Sequence, residues 1–115
     1  MDDKKVAYIY GNAIQGGAKI ELSNKFAKDG KIFNLFGRYH ITEDDISKAG
    51  AMLSDKVLDL ISEGYKVKLV LVGFSPLVAV MYGWYVLNKK SLSDDVVAVY
   101  YIREIGEKNW KEVKL

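Results

Sequence analysis

Between Val70 and Leu87 the chain carries no charged residue, and its only proline, Pro76, lies inside that run. A stretch of this length is close to what a bilayer-spanning helix requires. Its internal pattern argues against one continuous helix. VKLVLV is rich in β-branched residues and follows the turn-like Glu63-Gly64-Tyr65. Gly73-Phe74-Ser75-Pro76 then interrupts the run. Ser75 suits a helix N-cap, and Pro76 suits the first helical position, where a missing N–H costs nothing. The spacing therefore predicts a strand over Lys66–Val72, a short turn and a helix over Pro76–Asn88, with no membrane span.

The rest of the chain continues this alternation. Lys5–Tyr10 (KVAYIY) reads as a strand covered on both faces. A glycine-bearing loop, Gly11 to Gly17, follows. Ala18–Gly30 fits two templates: Ala18, Leu22 and Phe26 recur at helical spacing, whereas Ala18, Ile20 and Leu22 alternate as a strand with Asp29-Gly30 as a hairpin turn. Lys31–Gly37 reads as a second strand. Ile41–Gly64 holds the clearest helix. Thr42 and Asp45 form a variant capping box, and Glu43, Asp44 and Asp45 sit at the positive end of the helix dipole. Ile46, Ala49, Leu53, Val57, Leu60 and Ile61 make its apolar stripe, and Gly64 ends it. Asp95–Arg103 is a β-branched and aromatic strand, and the polar Gly106–Leu115 tail suits an edge strand. Strands alternating with helices over short connections predict one α/β domain, residues 1–115, a small Rossmann-like sandwich with a mainly parallel sheet.

The Pro76–Asn88 helix shows no polar face. A helix that is apolar all round is buried on all sides, and a domain of 115 residues hardly covers an outer-layer helix completely. That predicts a homodimer with this helix in the interface, Gly83 allowing close approach of a neighbouring backbone. In the alternative, Tyr82 and Tyr85 face solvent and no partner exists.

Composition narrows the chemistry. The net charge of +2 comes without a dense run of Lys or Arg, so no long nucleic acid is expected as a partner. The absence of cysteine excludes disulfides, thiolate metal sites and cysteine nucleophiles. His40 is the only histidine, which rules out a histidine metal cluster within one chain. No metal and no cofactor are expected. The polar start, MDDKK, precedes no apolar signal region, so a cytoplasmic protein is expected.

In an open α/β sheet ligands bind beyond the carboxyl ends of the strands, and four segments converge there. Gly11, Asn12, Gly16 and Gly17 could cradle a phosphate on backbone N–H groups, with Lys19 adding charge; the bland alternative is a plain flexible loop. The segment is neither GxGxxG nor a P-loop. Gly73, Phe74 and Ser75 would meet a ligand at a helix start, or would simply cap the helix. Arg38 could pair with phosphate, Tyr39 stack on a base and His40 move a proton; a lone histidine beside a capping threonine is equally a structural or exposed residue. Arg103 and Glu104 suit ion pairs at a strand end. No serine has a triad context.

The segment from Tyr65 to Glu104 resembles the closing unit of the CARF and SAVED family of Rossmann-like domains. The residues that carry the likeness are Gly73 and Pro76 after a strand, Gly83 within an apolar helix, and Val97, Tyr100 and Arg103 in the next strand. The resemblance implies a dimeric sensor of cyclic oligonucleotides in prokaryotic antiviral defence. Small family members, the ring nucleases, cut the cyclic ligand without metal by placing a ribose 2′-hydroxyl in line with its phosphate. The expectation of a stand-alone domain suits a ring nuclease or counter-defence factor better than a signalling effector. The expectation is a homodimer binding a small nucleotide, a cyclic oligoadenylate, across its axis. If it cleaves, Arg38 or Lys19 stabilises phosphate charge and His40 serves as acid. The rival expectation is a non-enzymatic interaction module that docks a partner protein on helix 76–88.

Overall fold

A computed structural model of the chain describes residues 5–12, 30–38, 40–103, 105–106 and 110–115. Its elements are β1 (Val6–Asn12), β2 (Gly30–Phe36), α1 (Glu43–Ser62), β3 (Lys66–Val70), α2 (Ser75–Asn88), β4 (Val96–Ile102) and β5 (Lys111–Lys114). The strands form one sheet in the order β2-β1-β3-β4-β5. The first four are parallel, and β5 runs antiparallel to β4 along one edge. The protein is an α/β fold with a mostly parallel mixed sheet. The choice between helix and hairpin for 18–30 lies outside the described residues.

β1 carries no charged residue, and its only strongly polar one is the terminal Asn12, because both of its faces are buried, as expected of an interior parallel strand. Ala7 and Ile9 join Leu53, Val57 and Leu60 of α1, Met81 and Tyr85 of α2, and Val67, Leu69 and Ala98 of the neighbouring strands. Tyr8 and Tyr10 point the other way, toward Val70, Val99 and Tyr101. On this second face, Tyr101 donates a hydrogen bond to Glu112 Oε2 at 2.6 Å, and Lys68 Nζ meets Glu112 Oε1 at 2.6 Å. These bonds tie the short edge strand β5 across β4 to β3. Burial, reinforced by the Glu112 carboxylate, holds the Tyr101 phenol above its ordinary pKa, so it remains a donor.

α1 begins and ends by the predicted devices. The Asp45 N–H donates to Thr42 Oγ1 at 3.2 Å, and the Thr42 N–H donates to Asp45 Oδ2 at 2.8 Å. At the other end Gly64 has φ +90°. Its N–H reaches the Ile61 carbonyl, and the Tyr65 N–H reaches that of Leu60, each at 3.0 Å. That pairing closes the last turn and requires a left-handed residue at position 64.

α2 departs from the sequence reading in three ways. The strand before it ends at Val70 rather than Val72, and Gly73 then turns the chain at φ +126°. The N-cap is Phe74 rather than Ser75, and no side chain caps the helix. The reason lies in the first helical hydrogen bond, in which the Val78 N–H reaches back to the Phe74 carbonyl at 3.0 Å. Ser75 is thus the first helical residue, and Pro76 still falls in the first turn, where its missing N–H has no partner to lose. Thirdly, only one stripe of the helix is buried within the chain: Leu77, Met81 and Tyr85. Trp84 anchors the flank toward α1, its Nε1 donating to Ser54 Oγ at 2.7 Å. Among the described residues no helix is long and apolar enough to cross a membrane.

The buried stripe of α2 sits on the end of β1. A Cβ at Gly11 would lie 2.6 Å from Leu77 Cδ2 and 3.0 Å from Met81 Sδ. Leu77 and Met81 are fully buried and have little room to retreat. Gly11→Ala should therefore lower stability by about 1–3 kcal/mol, the range for overpacking a filled core. Urea titration checks this, with a lower midpoint at unchanged slope as the expected result.

Candidate functional site

β2 lies on one side of β1, and β3 and then β4 lie on the other, so the strand order reverses between β1 and β3, the position where open α/β sheets bind ligands beyond the carboxyl ends of their strands. Gly11 and Asn12 end β1 there, and residues 71–74 leave β3 beside them. Asn12 is only 3% exposed. Its Oδ1 accepts the Phe74 N–H at 3.3 Å. A Cβ at Gly73 would lie 2.6 Å from the same oxygen. Position 73 thus needs glycine twice, for its positive φ and for this close approach.

The turn presents three exposed residues to solvent, Gly73, Phe74 and Ser75. Phe74 keeps 46% of its surface open. Because no side chain caps α2 and its first turn holds no acidic residue, the positive end of the helix dipole is not offset locally. Backbone N–H groups in this setting suit an anion, and an exposed aromatic ring beside them suits a flat ring system. From Gly73 and Ser75 an open groove of about 550 Å³ runs along α2, walled by Leu71, Val78, Ala79, Tyr82, Tyr100 and Leu115. Its lining is almost entirely apolar.

Arg38 and His40 lie at the carboxyl end of β2, just past Phe36, the residue that pairs with Asn12 of β1. Arg38 makes a two-pronged contact with Asp45, its Nη1 and Nη2 each 2.5 Å from a carboxylate oxygen. Nη1 also donates to the His40 carbonyl at 2.5 Å, and the guanidinium lies 5.5 Å from the centre of the Phe36 ring. This geometry makes Arg38 the clamp between the end of β2 and the start of α1. The His40 side chain is exposed. The Arg103 guanidinium lies 5.0 Å from the centre of the Trp110 ring.

Five residues singled out from the sequence, Gly11, Asn12, Gly73, Phe74 and Ser75, therefore come together at the carboxyl ends of β1 and β3, Gly11 and Asn12 buried and the other three exposed, while Arg38 and His40 stand at the next strand end. Gly16, Gly17, Lys19, Tyr39 and Glu104 lie outside the described residues. Sequence reasoning missed the Arg38–Asp45 clamp and the groove walls Tyr82, Tyr100 and Leu115. The clamp spans seven residues across a strand–helix corner, a separation with no periodic signature. The groove had one signal, the surplus of apolar residues on α2. Among the described residues no cluster of His, Cys, Asp or Glu could hold a metal ion.

The clamp has a pH signature. Hydrogen bonds from Arg38 and from the Thr42 backbone hold the Asp45 carboxyl well below the usual carboxylate range. A depressed folded-state pKa contributes stability that is present above the ordinary carboxylate pKa and is lost as pH falls toward the folded value. Asp45→Asn should thus destabilise the protein most at neutral pH, and its deficit relative to the wild type should shrink below about pH 4. Urea midpoints of the two proteins from neutral pH to about pH 3 test this; a deficit independent of pH would contradict it. No family model, no curated protein and no solved structure matches this chain.

Proposed function

We propose that this protein is a Rossmann-like nucleotide-binding protein whose ligand sits at the carboxyl ends of β1 and β3. The observation that carries this reading is the Gly73-Phe74-Ser75 turn. Asn12 Oδ1 accepts the Phe74 N–H within it, and the uncapped start of α2 lies beside an exposed aromatic ring. A phosphate would take the backbone N–H groups, and a base would stack on Phe74. The resemblance of Tyr65–Glu104 to CARF and SAVED domains nominates a cyclic oligoadenylate as the ligand. Cleavage of such a ligand requires only that a ribose 2′-hydroxyl be held in line with its phosphate, so positioning by this turn supports a ring-nuclease reaction without metal. In that reaction His40 and Arg38 are the acid and the charge-stabilising group at the neighbouring strand end.

A second reading is favoured by a separate observation. Tyr82, Val86 and Leu87 on the outward side of α2 are exposed, which suits a protein-interaction module.

Calorimetric titration with cyclic tetra- and hexa-adenylate, and with AMP as a control, tests the nucleotide reading. Mass analysis of the same mixtures reports cleavage. Binding of a cyclic species, weakened about tenfold or more by Gly73→Val or Phe74→Ala, is the expected outcome. Absence of binding to all of them removes the reading, and binding without products leaves a sensor rather than a nuclease.

A further inference from the structure

The outward stripe of α2 consists of Ala79, Tyr82, Gly83 and Val86, at helical positions i, i+3, i+4 and i+7. Tyr82 is 44% exposed, Val86 52% and the flanking Leu87 86%. Leu115 at 42% exposure continues the surface across the groove. Summed over these side chains and the groove walls, the open apolar area is on the order of 500 Å². A standard interface takes about 800 Å² from each partner, and about 65% of a homodimer interface is apolar. The patch is therefore of the size that one symmetric interface needs.

Two features identify the occupant. The first is charge: Ser75–Asn88 contains no charged residue, so an acidic or basic partner finds no counter-charge, whereas an identical neutral face matches it. The second is the order of large and small residues. Gly83 sits inside a helix, at a cost of about 1 kcal/mol relative to alanine. A Cβ there would meet nothing within 4 Å, so packing within the described chain does not require the glycine. An antiparallel copy of the helix, related by a two-fold axis between positions 82 and 83, sets Tyr82 against Gly83 and Val86 against Ala79. Each large side chain then faces a small one. In a parallel pair, Tyr82 would meet Tyr82 and Val86 would meet Val86, leaving Gly83 facing a gap.

We infer that the outward face of α2 docks a second copy of this chain, helix against helix and antiparallel, with the two-fold axis between Tyr82 and Gly83. The interface is isologous, since the same patch serves both subunits. The inference does not depend on nucleotide binding; it names the occupant for the interaction reading.

The absence of cysteine from the chain makes the test direct. Sedimentation equilibrium should give twice the 13.0 kDa chain mass. Val86→Glu should raise the dissociation constant about 100-fold or more by burying an unpaired charge. Because Val86 is exposed in the single chain, the far-UV spectrum of that variant should be unchanged. Under oxidation, Ala79→Cys mixed with Val86→Cys should form a disulfide-linked heterodimer, while either variant alone should remain largely unlinked. A monomer at every concentration, or a dimer that Val86→Glu leaves intact, overturns the proposal while allowing the interaction reading to stand with a different partner. Ready self-linking of Ala79→Cys alone overturns the antiparallel arrangement.

Discussion

Leu77 and Met81 of α2 rest on the bare backbone of Gly11, and the placement of the helix follows from that contact. A side chain at position 11 would press against both residues. With the helix seated, the turn that leads into it lies over the end of β1, where Asn12 accepts the Phe74 N–H. One close approach therefore fixes two things together: the packing of the core on that face and the position of the turn beside the end of β1. The same residues serve stability and the proposed site, so substitutions at Gly11 and Gly73 act on both.

The next strand end is held by a different device. Arg38 grips Asp45, and Asp45 in turn caps α1 through Thr42. The guanidinium that reads in sequence as a phosphate ligand also positions a strand–helix corner. Its side chain remains half exposed, so the clamp stands at the rim of the sheet rather than in the core. The two corners frame the carboxyl edge of the sheet, one by apolar contact with glycine and the other by charge-assisted hydrogen bonds.

α2 unites opposite demands. Its inner stripe is fully committed to the core, and Trp84 ties one flank to α1. The other flank borders a groove over Tyr100 and Leu115, beside the short edge strand β5. The layer of helices thus leaves part of the sheet near that edge open. An apolar helix face and an apolar sheet surface meet there, which is why the exposed patch is continuous rather than scattered.

Local signals in the sequence determined the element types. The Thr42–Asp45 box, the Gly64 stop, the break at Gly73–Pro76 and the β-branched runs each depend on residues within a few positions of one another, and short-range physics suffices for them. They also indicated a mostly parallel α/β sheet, because the strands alternate with helices. Other features required the tertiary structure. Phe74 rather than Ser75 became the N-cap because a backbone hydrogen bond, not a side-chain preference, set the first turn. Arg38 was drawn to Asp45 by a corner that no periodicity reveals. The uniform apolarity of α2 concealed which third of it faces the core, since a helix without polar residues has no pattern to read; only the position of Gly11 beneath Leu77 and Met81 decided the orientation.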